Sequence, residues 1–499
     1  MKLKTVVLVI AAAIATVVSS VTGAVSLNPD GTGQVLLYPY YTVNANNATL
    51  ISVVNPTDHT KAVRVRFREG YNGQSVFEAN VFLGPFDVWT ANVFSLSAAG
   101  GANLLTDDES CTLPDIKGAT GPGVLRLPDG RSYRPFSTAN LQTDGGPTGV
   151  SRTREGSLEI LDMARLQSGS DAESAILADN GVPAGCGSIE ALIQSQPGEL
   201  LPPSGGLFGA ANIVDPALGT LIGYNADALE GFYHLSGNLY FAPGSASPAL
   251  DDARTTTSTA VAYVSSNTLG APSETVTATY SAGSAVDAVS AVLTQETLLN
   301  EFVLESGSAS ESEWVISFPT KHHYVGLAPA VAPFIARFAA PGRAPVVVGY
   351  TALDRDQGYF SLIDGIGVPT PFPPTTLNYE TQILSFLPEA SYLASGGVSA
   401  VFSSRLTTNI DIRGLTHFPS GWLRLQLNPT DGVSEPHALR PSQDGDVFSG
   451  LPVTGFLATN YLNRNNGAFN VLATYSTAAR HRGTRKCVRL INGGSDFCS

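Results

Sequence analysis

The chain has 499 residues, 28 of them basic and 42 acidic, for a formal net charge of −14. That acidity disfavours nucleic acid as a partner, because general binding to it relies on cations that displace counterions. Charged residues make up only 14% of the chain, against about 25% in ordinary soluble proteins, so the surface has to be built from hydroxyls and amides, as suits an extracellular protein of strands and turns.

The first element is an export signal. Lys2 and Lys4 precede an uncharged, almost wholly apolar run from Thr5 to Val18, and Ser19, Ser20, Val21, Thr22, Gly23 and Ala24 then supply the small residues that signal peptidase needs. Residues 1–24 are predicted to be a signal peptide, with Val25 opening the mature chain. Cleavage after Gly23 is nearly as good. No Cys precedes Cys111, so an N-terminal lipid-modified Cys is excluded. No later run reaches the roughly 18 apolar residues that a membrane-spanning helix needs. Loss of Lys2 and Lys4 takes the net charge to −16, and the remaining chain is too long for one hydrophobic core.

From Gln34 to Phe94 the sequence reads as strands. Val35–Tyr38 lead into Pro39, and Thr49–Val54 run into the turn Asn55-Pro56-Thr57-Asp58. Val63, Val65 and Phe67 alternate with Arg64, Arg66 and Arg68, the period-two pattern of a half-buried antiparallel strand. Between Ser95 and Leu201 the pattern weakens, with short helices predicted at Asp171–Asp179 and Ile189–Gln194. Leu201-Pro202-Pro203-Ser204-Gly205-Gly206 is the best candidate linker. Strand-like stretches resume at Gly209–Gly223 and His234–Phe241. A helix is predicted over Ser284–Asn300, with Ser284 and Asp287 at capping-box spacing, and Trp314, Ile316 and Phe318 then alternate. Val368–Pro374 is expected to be extended and exposed. The fold class that follows is mainly β: tandem β-sandwich-like domains with a few short helices. The N-terminal unit is placed at 25–203 with a disulfide-pinned excursion, and the C-terminal unit at 204–499 with its helix near 284–300.

Four cysteines in an oxidising compartment imply disulfides. Cys487 and Cys498 flank an Asn492-Gly493-Gly494 turn and close a local bridge easily, which leaves Cys111 with Cys186.

Several motifs carry candidate chemistry. Arg64, Arg66 and Arg68 form a ladder with steps of about 6.6 Å, a possible anion grip on a surface polymer; the competing reading pairs them across strands with the chain's own carboxylates. Either way the ladder is expected on the solvated face of its strand. Arg480, His481, Arg482, Arg485, Lys486 and Arg489 form the other basic run, readable as an anion site or as a solvated terminal segment. Asp354 and Asp356 hint at calcium, although the position that should close a twelve-residue loop is Gly365. His322 and His323 are expected to face opposite ways on a strand, which prevents joint chelation. Leu451-Pro452-Val453-Thr454-Gly455 matches a sortase signal but lacks the apolar run that must follow. No HExxH, GxSxG, phosphate-binding glycine loop or CxxC occurs, so no catalytic residue is assigned and no cofactor beyond calcium is implied.

Several runs resemble a family of uncharacterised exported proteins of Gram-negative bacteria. They are Gly33–Tyr41, Ser52–Asn55, Lys61–Phe67, Pro85–Trp89, Thr153–Gly156, Trp314–Lys321 and Gly450–Phe456. The resemblance implies export and a shared β-rich fold, and carries no activity with it. The leading reading is an exported periplasmic, cell-surface or extracellular protein with a binding, adhesive or assembly role, its partner a cell-surface polymer or another copy of itself. A secreted polymer-degrading hydrolase or lyase is the alternative, and an outer-membrane barrel a further one.

Overall fold

The computed structural model describes residues 23–498 apart from 119–120, 122, 180, 233–237, 253–257, 267–272, 282–283, 306–308, 357–358, 362–374, 388–397, 413–419, 430–435, 464–472 and 492–493. The signal-peptide segment up to residue 22 and the proline-rich run at 368–374 lie outside the described residues. The chain is mainly β, in several separate open sheets with sandwich-like layering.

The first half supplies β1 (Ala24–Leu27), β2 (Val35–Thr42), β3 (Ala48–Val54), β4 (Lys61–Glu69), β5 (Ser75–Leu83), β6 (Val88–Phe94) and β7 (Glu155–Leu166). Two short helices follow, α1 (Asp171–Ile176) and α2 (Ile189–Ser195), and then β8 (Phe208–Asp215), β9 (Thr220–Asn225), β10 (Asp227–Glu230), β11 (Ser258–Val264) and β12 (Glu274–Tyr280). A ten-stranded sheet contains the path β12-β11-β1-β10-β2-β7-β4-β5, and a seven-stranded sheet contains β9-β8-β3-β6. Leu36, Tyr38, Val63, Val65 and Phe67 of the first meet Val53, Trp89 and Ile213 of the second in one core. Strand β2 runs through Pro39 because the strand bulges there, placing Pro39 and Tyr40 opposite Ser157 of β7, which spares Pro39 a ladder hydrogen bond it cannot make.

The second half begins with α3 (Ala285–Leu293), β13 (Thr297–Phe302), β14 (Ser310–Ser317), α4 (Lys321–Val325), β15 (Val346–Asp354), β16 (Thr381–Leu387), β17 (Thr407–Asp411) and β18 (Gly421–Gln426). It ends with β19 (Asp446–Ser449), β20 (Thr454–Asn463), β21 (Ala473–Arg480), β22 (Arg482–Thr484), β23 (Lys486–Ile491) and β24 (Gly494–Phe497). A six-stranded sheet containing β15-β18-β13-β22 packs on a five-stranded sheet, β17-β16-β14-β20-β21, through Phe302, Trp314, Ile316, Tyr350, Leu384 and Leu425.

Three expectations are corrected. The boundary at 203/204 is crossed by hydrogen bonding, since β8 pairs with β3 and β10 with β2. The candidate linker is itself pinned: buried Lys61 donates to Asp162 at 3.0 Å and to Ser204 Oγ, and Gly205 N–H donates to the same Asp162 oxygen. The predicted 284–300 helix stops at Leu293, and the β-propensity of Thr297–Phe302 takes the chain into β13. Ser284 makes no capping bond, and Asp287 instead accepts from the Tyr324 hydroxyl at 2.8 Å and pairs with Arg440. Reciprocal capping occurs at α1, where Ser170 Oγ accepts Glu173 N–H and the Glu173 carboxylate accepts Gly169 N–H. Of the strand expected at 234–241, residues 233–237 lie outside the described residues and 238–241 are irregular.

The central strands of the five-stranded sheet, β14 and β20, are buried on both faces. The far face of this sheet meets the first sandwich, with Tyr40 against Phe402 at 5.1 Å and Tyr224 stacked on Phe456 at 4.5 Å between ring centroids. The outer face of the ten-stranded sheet is covered too, by α1 and α2 at one end and by α3 with the Cys487–Cys498 bridge at the other.

Candidate functional site

The arginine ladder is inside the protein, which overturns its expected place on a solvated face. Arg64, Arg66 and Arg68 retain 0%, 2% and 8% exposure. The period-two split is kept, with Val63, Val65 and Phe67 on the other face, but a second layer lies over the arginines. Arg64 donates to the Phe241 and Ala242 carbonyls at 2.8 and 2.9 Å, and Arg66 donates to those of Ser245, Ala246 and Pro248. Glu78 on β5 and Glu159 on β7 neutralise the ladder from both sides, at 2.8–3.1 Å. Burial pushes Glu159 up, but Arg68 and Arg66 outweigh it and hold the carboxyl below its usual range. Irregular backbone leaves carbonyls without ladder partners, and these guanidiniums satisfy them. The ladder is a buried structural clamp, with Arg68 Nε its one donor lacking a partner among the described residues.

A second buried cluster joins the two halves. Arg152 makes paired bonds to Glu69 at 2.8 and 2.9 Å and also holds Asp144. Glu380, pushed up by burial, faces His322 Nδ1 at 2.9 Å. Desolvation lowers Lys321 to about 7, and its ammonium donates to the Tyr379 carbonyl. His322 and His323 sit on the short helix α4, and their rings lie 4.0 Å apart instead of on opposite faces of a strand. Glu313 accepts the N–H groups of Ala400, Val401 and Phe402, and burial pushes its carboxyl up to about 7.

The terminal basic run is divided. Arg480 pairs with Asp227 at 2.5 Å, Lys486 lies 3.7 Å from Glu296, and Arg489 grips buried Asp446 through two bonds. Half-buried Arg485 donates to the Val292 carbonyl, and desolvation lowers it to about 10. His481 is buried against Trp314 with one ring nitrogen 3.0 Å from the Val315 carbonyl, and desolvation lowers it to about 4. Arg482 is exposed and makes no ion pair among the described residues. The Asp354 carboxylate accepts the Asp356 N–H at 2.9 Å, closing a turn. Cys111 bonds Cys186 and Cys487 bonds Cys498. Asp446 approaches the second pair, but oxidised sulfurs are not thiolate ligands. The sortase-like segment is buried within the fold, and Thr454 pairs in register with Ser317.

What stays open is a cleft of about 570 Å³ where the edge of the seven-stranded sheet meets the five-stranded sheet. Asn28, Asp30, Asn212, Asn225, Asp227 and Arg480 give it its polar character. Burial raises Asp227 despite the Arg480 guanidinium beside it. Asn212 and Asn225 make no side-chain hydrogen bond among the described residues, so their amides are available to a ligand. A second hollow of about 350 Å³, lined by Leu50, Ser52, Thr90, Asn92 and Asn212, opens on the outer face of the same sheet and shares Asn212 with the cleft. None of these asparagines stands out in the sequence, because an isolated Asn in a strand has no signature spacing. Compared with known proteins, the chain matches no family model, no curated protein and no solved structure.

Proposed function

We propose that this chain is an exported protein of the periplasm, cell surface or extracellular space, akin to the exported family it resembles, and that its role is binding, adhesion or assembly. The observation that carries the binding role is the open cleft between the sandwiches, lined by amides without internal partners. Two disulfides support an oxidising compartment. The hydrolase or lyase alternative calls for convergent acid and base groups in a cleft; here the one buried carboxylate, Asp227, is held by Arg480. The barrel alternative calls for one closed sheet, and the separate open sheets speak against it.

Cell fractionation combined with identification of co-purifying envelope material tests the reading. The expected result is an oxidised protein outside the cytoplasm, retained on an envelope component. Recovery in the cytoplasm with free thiols would overturn it.

A further inference from the structure

The outer face of the seven-stranded sheet carries its side chains in rows across the strands. One row runs Asn92, Leu50, Asn212, Gly223, and the next runs Thr90, Ser52, Ala210, Asn225. An apolar row, Val88, Val54, Phe208, flanks them, with Leu50 and Phe208 exposed by 43% and 42%. The first row crosses four strands, about 14 Å at the usual spacing, and joins the outer hollow to the cleft through Asn212.

Three amides on this path lack internal partners. The Asn92 side-chain oxygen is buried and unpaired, and a buried acceptor without a partner is a cost that a ligand can relieve. Asn212 leans over Gly223, where an added Cβ would come within 2.7 Å of its oxygen. That glycine leaves the Asn212 amide its space.

We propose that this face, from Asn92 across Leu50 and Asn212 to Asn225, binds an uncharged polysaccharide laid across the strands. The proposal rests on the binding role above and names its ligand class. Amides donate and accept from one group, which matches neighbouring hydroxyls that do the same. Leu50, Val54 and Phe208 supply apolar area for the C–H faces of sugar rings. Charge decides against a polyanion: Asp30, Asp107 and Asp227 border the path, Arg480 is tied to Asp227, and Arg131 beside the path is tied to Asp107 and Asp129. A protein strand is disfavoured as occupant, because strand addition uses the free backbone groups of a sheet edge and not a face.

The test is affinity electrophoresis of the exported chain in gels containing soluble β-glucan, mannan, dextran or, as the anionic contrast, alginate. Retardation by at least one neutral polymer, insensitive to salt, is expected. Asn212→Ala and Gly223→Ala should each weaken it about tenfold or more with unchanged melting temperature, since Asn212 has no internal bond to lose. Retardation by alginate alone, lost at high salt, overturns the proposal, as does equal binding by wild type and both variants, or no retardation by any neutral polymer. Self-association in light scattering that Asn212→Ala abolishes would assign the face to a second copy and also overturn it. A protein retained on envelope material equally well with and without Asn212 keeps the binding role and removes this site from it; a cytoplasmic protein removes both.

Discussion

Arg66→Met removes the centre of the buried ladder. The wild-type guanidinium donates to Glu78 at 2.8 Å, to Glu159 at 2.9 Å and to the carbonyls of Ser245, Ala246 and Pro248. Burial alone would lower its pKa, yet Glu159 and Glu78 raise it, so the paired state outweighs desolvation. Methionine fills part of the volume and leaves the Ala246 and Pro248 carbonyls and part of two carboxylates without donors, while the Ser245 carbonyl keeps Arg64. Removing one partner of a buried ion pair costs about 3–5 kcal/mol, and that range is the expected loss. Exposed Arg482→Ala should cost about 0–0.5 kcal/mol. Urea unfolding at neutral pH measures both, and limited proteolysis should show new cleavage in the 241–248 segment of Arg66→Met. Glu159 keeps Arg68 at 2.8 Å and Glu78 keeps Arg64 at 3.1 Å in that variant, so adding Glu159→Gln should deepen the loss by leaving Arg68 without its carboxylate. A cost below about 1 kcal/mol for Arg66→Met, the range of exposed pairs, would refute the clamp.

Phe67→Ala, on the opposite face of the same strand, should cost about 3–5 kcal/mol through lost burial and a residual cavity, read from the same unfolding curves. Glu313 supplies a pH test: its folded carboxyl, at about 7, holds a proton more tightly than the unfolded one, so its contribution is full below the unfolded value and lost as pH rises through about 7. Stability should therefore gain up to about 3 kcal/mol between pH 8 and 5 from this group, and Glu313→Gln should flatten that slope; an unchanged slope contradicts the assignment. Non-reducing peptide mapping should find Cys111 linked to Cys186 and Cys487 to Cys498, and a Cys186–Cys487 link would contradict the structure. Separations of 75 and 11 residues make the bridges worth about 4 and about 3 kcal/mol in the chain-entropy account. Thr454→Ala should leave any surface retention unchanged, and loss of the variant to the medium would show that the buried 451–455 segment is read by a sortase.

The strands around Val63–Phe67 and Trp314 are legible in the sequence because a pleated backbone forces side chains to alternate. The cysteine pairs follow from which two lie close along the chain, and the places of α1 and α2 are legible, although α1 ends at Ile176, short of the predicted Asp179. Alternation says which residues share a face, however, and not whether another layer lies on it. Arg64, Arg66 and Arg68 read as a surface ladder until the 241–248 segment, some 180 residues away, is folded over them. The stretch at 201–206 reads as a linker until Lys61 and Asp162 take hold of it. Asn92, Asn212 and Asn225 come together only because β6, β3, β8 and β9 are neighbours in one sheet, although the chain visits them in distant passes. Local pattern and covalent spacing were set by the sequence alone; coverage of a face and the meeting of remote strands are set by long-range packing, where both the clamp and the cleft arise.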